Sequence, residues 1–136
     1  MPHEFPAELR LEQIRVSARH LELGVKCLAG GCPVSLAIRA HLDGLGLPWW
    51  DDDKFMWSWR VLVRHASARL YRPGEPVEYI GGTPAAVQRF VFAFDLKDNL
   101  KGCSRQFIKK RMDAIRPFTI EKVTFIRKEI SDEKTD

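Results

Sequence analysis

Residues 26–47, KCLAGGCPVSLAIRAHLDGLGL, hold a helix whose two ends are both marked in the sequence. Gly30 and Gly31 turn the chain and Cys32 takes the N-cap position. Pro33 falls at the first helical position, where a missing N–H removes a donor that has no intrahelical partner. Val34, Ala37, Ile38, His41, Leu42 and Leu45 then recur at i, i+3, i+4, i+7, i+8 and i+11, one apolar stripe on an amphipathic helix. Gly44 and Gly46 stop it and Pro48 keeps it stopped. A helix with a single apolar stripe must lie on a second layer, so the rest of the chain has to supply that surface.

The strongest strand signal supplies it. Phe55, Trp57, Trp59, Val61 and Val63 alternate with Met56, Ser58, Arg60, Leu62 and Arg64, which predicts a strand with one wholly apolar face. Residues 66–72 read as its returning partner, Pro73 and Gly74 as a turn, and residues 76–80 as a short edge strand. Upstream, residues 1–11 read as an arm broken by Pro2 and Pro6. Residues 12–17 suit a short strand, and Ser17 caps a short helix ending at Gly24, with Leu21 and Val25 directed at the core. Downstream, Thr83 as cap and Pro84 at the first position begin a second helix carrying Val87, Phe90, Val91 and Phe94. Ser104 caps a third to about Ile115, with Ile108, Met112 and Ile115 inward. A last strand alternates Phe118, Ile120, Lys122 and Thr124 with Thr119, Glu121, Val123 and Phe125. Strands arriving in neighbouring pairs predict an α+β fold: one antiparallel sheet of four to five strands with helices mainly on one face. The expected organisation is an arm over 1–11, a single domain over 12–127, and a charged tail over 128–136.

The 136 residues are enough for one domain with its own core. No apolar run reaches 18 residues, and the N-terminus lacks the basic-then-apolar pattern of a secretory signal, so the expected location is cytoplasmic with reduced thiols. The 22 Lys and Arg against 18 Asp and Glu give a net charge of +4. Residues 128–136 hold two of those Lys and four of the acids, leaving a body of 20 against 14. A basic body suits an anionic partner.

One resemblance rests on particular residues. His20, Leu21 and Gly24 after a strand, the Cys32, Pro33, Val34, Leu36 and Ala37 helix, the tryptophan-rich strand pair, Phe90, Phe94 and Asp95 at a helix end, and Pro117, Phe118 and Ile120 form an ordered pattern. That layout resembles a set of small proteins from actinobacterial phages and bacterial genomes, over residues 13–96 and 117–120. Where those proteins pass almost directly from the Phe-Asp pair to the Pro-Phe pair, this chain inserts residues 97–116, a basic segment. The set carries no assigned activity, so the resemblance implies an accessory protein of a phage or mobile element, acting in the host cytoplasm, and nothing catalytic.

Four groups of residues carry chemistry. His20, Cys27, Cys32 and His41 have the donor atoms for zinc, but their spacing is not that of a finger and His41 lies on the apolar stripe. No cofactor is therefore expected, with zinc at these four as the alternative. Cys32 as a nucleophile, or paired with Cys27 as a redox switch, stands against the plainer role of a small buried cap residue. Asp51, Asp52 and Asp53 could meet Mg²⁺ but are more simply a solvated loop. Trp49 and Trp50 sit in a loop, where they either fold over the sheet or stack on a partner such as a base. Arg60, Arg64 and Arg69 are expected on the outer face of the tryptophan strand and its partner, and Lys101, Arg105, Lys109 and Arg116 recur at near-helical spacing on the inserted segment, beside Lys110 and Arg111.

The predicted ligand-binding set is thus Trp49, Trp50, Arg60, Arg64, Arg69, Lys101, Arg105, Lys109 and Arg116. The expected function is non-enzymatic binding of nucleic acid or a nucleotide signal, in a counter-defence role. The alternatives are a protein–protein module or homodimeric inhibitor of a host protein, using the Trp49 and Trp50 loop and a strand edge, and a small thiol-dependent enzyme using Cys32.

Overall fold

The computed structural model describes residues 5–50 and 58–130. Among these residues, strands β1 (Glu8–Val16), β2 (Arg60–Val63), β3 (Ser67–Tyr71), β4 (Val77–Gly82) and β5 (Phe118–Glu129) form one antiparallel sheet in the order β1-β5-β4-β3-β2. Helices α1 (Ala18–Leu23), α2 (Pro33–Asp43), α3 (Ala85–Asp95) and α4 (Arg105–Asp113) complete a mixed α+β fold. Both ends of the sheet run further than expected: β1 starts inside the segment read as an arm, and β5 continues to Glu129. Asp51, Asp52, Asp53, Phe55, Met56 and Trp57 lie outside the described residues.

The segment read as an edge strand is the middle of the sheet. β4 pairs with β3 on one side and β5 on the other, with Gly81 opposite both Ala68 and Phe125. Gly81 allows this: a Cβ there would come within 2.7 Å of the Thr124 carbonyl oxygen. The alternation in β5 is also broken once. Ile120 and Val123 are both buried although three residues apart, and so are Leu11 and Ile14 on β1. The breaks face each other, since Glu12 pairs with Lys122 and Ile14 with Ile120 in one unchanged register. Gln13, between them, has a φ of 56°, the left-handed backbone that lets one residue be skipped without a slip.

The apolar face of this sheet carries one core. Leu9, Phe125, Ala68 and Val63 line one cross-strand row, and Tyr79, Leu70 and Val61 the next. Val34, Ala37, Ile38 and Leu42 of α2, with Val87, Phe90, Val91 and Phe94 of α3, close over them. Helix α2 touches both β1 and β2, which are the two edges of the sheet, so the sheet curls around it. The expected stripe is fulfilled except at its end, where Leu45 is exposed. Val25 and Met112, expected inward, are exposed as well, while Ile115 packs against the core.

The edge of β2 is covered by local chain. The Val63 N–H donates to the Ala29 carbonyl at 2.8 Å, and the Arg39 guanidinium donates to the Trp59 carbonyl. Such cover removes a pairing site that an open edge would offer. At the start of α3 the cap is Pro84, not Thr83. Thr83 instead clamps the β2–β3 turn: its hydroxyl donates to the His65 carbonyl at 2.7 Å and its N–H to the Ala66 carbonyl at 3.2 Å.

Helix α1 starts as expected at Ser17, and the structure adds a reciprocal partner. The Ser17 hydroxyl accepts from the His20 N–H at 3.3 Å, while the Ser17 N–H donates to His20 Nδ1 at 3.1 Å. Burial lowers the His20 pKa, against a backbone hydrogen bond at Arg15 that raises it. The folded value therefore lies below the unfolded 6.5, so the neutral ring contributes stability above that pH. That contribution is lost as pH falls through the folded value, because a protonated Nδ1 cannot accept. Denaturant unfolding at about pH 7.5 and about pH 5 should show a fall in stability that shrinks in His20→Gln, a side chain that keeps the capping box without titrating. Equal falls in both proteins would place the titrating group elsewhere.

Candidate functional site

The predicted site residues do not gather in one place. Trp49 is buried, 4% exposed, and stacks on Tyr79 with ring centroids 5.3 Å apart. Its carbonyl accepts from Trp59 Nε1 at 3.0 Å. Trp50 is half-buried, stacked on Trp59 at 6.2 Å, and donates from Nε1 to Asp43 Oδ1 at 2.7 Å. The tryptophan pair thus folds over the sheet and completes the core, and Trp49 has no ring face to offer a base. The reason is the short turn after α2, in which the Trp50 N–H donates to the Leu47 carbonyl and tucks both rings beneath the helix end.

The three strand arginines separate. Arg60 and Arg69 stand on the outer face, opposite Tyr71 and Leu62 respectively. Arg69 Nε donates to Glu78 Oε2 at 2.7 Å and its guanidinium covers the Tyr71 ring at 4.8 Å, so its charge is already engaged. Arg64 lies in the β2–β3 turn and lines a different cavity. The four residues of the zinc alternative are not brought together. His20 is held in its cap, and among the described residues no group of three or more His, Cys, Asp or Glu is placed to hold a metal ion.

Positive charge converges where residues 97–116 meet α3. Helix α4 meets α3 through Arg111, whose guanidinium lies 4.3 Å over the Phe92 ring and 4.8 Å over Phe107. Two adjoining grooves follow the seam between the helices. One, of about 280 Å³, is lined by Arg89, Ala93, Phe107, Lys110, Arg111 and Ala114. The other, of about 230 Å³, is lined by Ala86, Arg89, Phe90, Ala114, Arg116 and Phe118. They share Arg89 and Ala114, so Arg89, Lys110, Arg111 and Arg116 face one continuous surface with no acidic side chain in its lining. Arg116 belongs to the predicted set. Lys101, Arg105 and Lys109 are exposed nearby on the loop and outer side of α4 but line neither groove.

Sequence reasoning missed Arg89. Its signal is faint: a single cation beside the Val87, Phe90, Val91 and Phe94 stripe, with no partner on its own helix. The partners come from α4, and only packing shows that they meet.

A second cavity, of about 460 Å³, is lined by Cys27, Leu28, Ala29, Cys32, Val63, Arg64, His65, Val91 and Asp95. The two cysteines expected to work with His20 or His41 thus share a wall with His65 and Asp95 instead. The loop bearing Cys27 is pinned on three sides. The Cys27 N–H donates to Asp95 Oδ1 at 2.8 Å, Lys26 Nζ pairs with Asp98 at 3.1 Å, and the Ala29 carbonyl holds β2. No helix among the described residues is long and apolar enough to cross a membrane. No protein family matches this chain, and neither a curated protein nor a solved structure matches it.

Proposed function

We propose that this protein binds a phosphate-bearing anion, nucleic acid or a nucleotide, along the seam between α3 and α4. One observation carries the reading: two adjoining grooves share Arg89 and together present four cations with no acidic residue in their lining. Guanidinium groups match phosphate oxygens in pairs, and a groove open to solvent lets them do so without full desolvation. The body's excess of basic over acidic residues favours the same class of partner over long range. Phe107, 39% exposed at the seam, offers an aromatic face beside the cations, the combination that single strands use. In the setting implied by the resemblance to phage and bacterial proteins, such binding would sequester a nucleotide signal or occlude host nucleic acid.

The test is a binding titration with labelled single-stranded and duplex oligonucleotides and a mononucleotide, at about 50 and about 200 mM salt. If the four cations each neutralise one phosphate, affinity should fall by about 50- to 150-fold over that range. Absence of binding at the lower salt, or binding indifferent to salt, overturns the proposal.

A second reading, a protein–protein module, draws on the outer sheet face. Leu62, Ile80 and Ile126 stand in one cross-strand row there, and Ile126 is 50% exposed. That row also carries Arg69, so substitution at the seam separates the readings: oligonucleotide affinity that is unchanged when Arg89 and Arg116 are both replaced by Gln counts against the seam.

A further inference from the structure

The cavity beside α2 combines features that the anion seam does not use. Cys27 is exposed, lines the cavity, and has a φ of 59°, a left-handed backbone rare for a residue with a Cβ. That conformation is held by the Asp95 carboxylate on the Cys27 N–H at 2.8 Å, and the Cys27 thiol donates to the Asp95 carbonyl at 3.7 Å. Backbone held in a sparsely populated region by a surrounding hydrogen bond marks a position that the fold over-determines. Two residues of opposite charge, Asp95 and Arg64, line the same space, and Arg64 makes no ion pair among the described residues. The volume of about 460 Å³ is that of a small-molecule site.

We infer that Cys27 undergoes thiol–disulfide exchange with a small zwitterionic disulfide of the amino-acid type. The ligand's carboxylate pairs with Arg64 and its ammonium with the oxygen of Asp95 that Cys27 leaves open. The Cys27 sulfur, as thiolate, attacks one ligand sulfur. The ligand S–S bond breaks, a mixed disulfide forms on Cys27, and the departing half leaves as a thiol carrying the proton that Cys27 gave up. The protein sulfur is oxidised and the ligand reduced, so the step balances with the disulfide as sole oxidant. It is independent of the α3–α4 seam and stands or falls separately.

Cys103 provides an internal control, since it is exposed and lines none of the cavities described. The full chain is incubated separately with cystine, cystamine and dithiodiglycolate, which carry both charges, only the positive, and only the negative. Adducts at Cys27 and Cys103 are timed by peptide mass spectrometry. The ratio of Cys27 to Cys103 rates should be about fivefold higher for cystine than for either singly charged reagent, the return from one added exposed ion pair. Arg64→Gln should erase the advantage over cystamine, and Asp95→Asn, whose amide oxygen still accepts from Cys27, the advantage over dithiodiglycolate. A ratio equal for all three reagents, or a cystine preference that survives both variants, overturns the inference. Far-UV circular dichroism and an unchanged Cys103 rate show that each variant is folded.

Discussion

Replacing Arg89 and Arg116 together by Glu should weaken oligonucleotide binding at about 50 mM salt by at least about thirtyfold, or about 2 kcal/mol. Both side chains are exposed and both line the groove of about 230 Å³, so the change reverses the sign of its mouth without touching the core. Exposed positions of this kind shift stability by no more than about 0.5 kcal/mol, so lost binding would not be lost folding. The milder pair Arg89→Gln and Arg116→Gln should flatten the slope of log affinity against log salt by about 1.4 to 1.8, the loss of two phosphate contacts. Lys128→Gln is the matched control. Lys128 lies ten residues along β5 from Phe118, about 30 Å at strand spacing, and should leave both affinity and slope unchanged. Isothermal or anisotropy titration measures both quantities. If the Glu pair binds like the parent, phosphate is not held at this seam.

Trp59→Ala should cost about 3–5 kcal/mol of unfolding free energy, the usual cost of emptying a large buried aromatic site. Trp59 is fully buried at the centre of an aromatic cluster, with Trp49 at 5.2 Å, Phe5 at 6.0 Å, Trp50 at 6.2 Å and Tyr79 at 6.5 Å. Three segments meet on it: the N-terminal segment through Phe5, the loop after α2 through Trp49 and Trp50, and β4 through Tyr79. Its removal also strands the Trp49 carbonyl, which accepts from Trp59 Nε1. Typical domains have only about 5–15 kcal/mol to lose, so the variant should melt about 10–20 °C lower and show a reduced near-UV dichroism signal. Trp59→Phe keeps part of the ring and loses only the indole donor and some volume, so it should fall between the two. A loss under about 1 kcal/mol for the alanine variant would mean that the cluster is not closed around this ring.

The two expectations fail or hold for different reasons, and the contrast shows where sequence is informative. Elements whose signals are local were legible. The N-caps at Ser17, Cys32 and Ser104, the apolar stripes of α2 and α3, and the alternation through Trp59, Val61 and Val63 all depend on residues within one or two turns of each other. The class of fold followed from them. Three features were not legible because they depend on partners distant in the chain. β4 looked like an edge because its segment is short and follows a Pro, yet it is central because β5 returns to its free side. The skip at Gln13 is invisible without Glu121, since either strand alone reads as a plain alternation with one flaw. Trp49 and Trp50 could equally have faced a partner; Trp59 and Tyr79, further along the chain, receive them inside.

For the sites the division is sharper. Composition and spacing alone determined that residues 97–116 are basic and that Cys27 and Cys32 stand at a helix start. They could not say which cation faces which, because charges on a solvated helix face carry no local constraint. Tertiary structure decided that: Arg116, Lys110 and Arg111 line grooves with an Arg89 more than twenty residues earlier, while Lys101, Arg105 and Lys109 line neither. Packing likewise took Cys27 and Cys32 from the histidines nearest in sequence and set them against His65 and Asp95. Local pattern determines which faces must be buried, because burial is averaged over a helix turn or a strand pair. The identity of the groups that meet across a groove depends on how long-range elements dock, and only the tertiary structure supplies it.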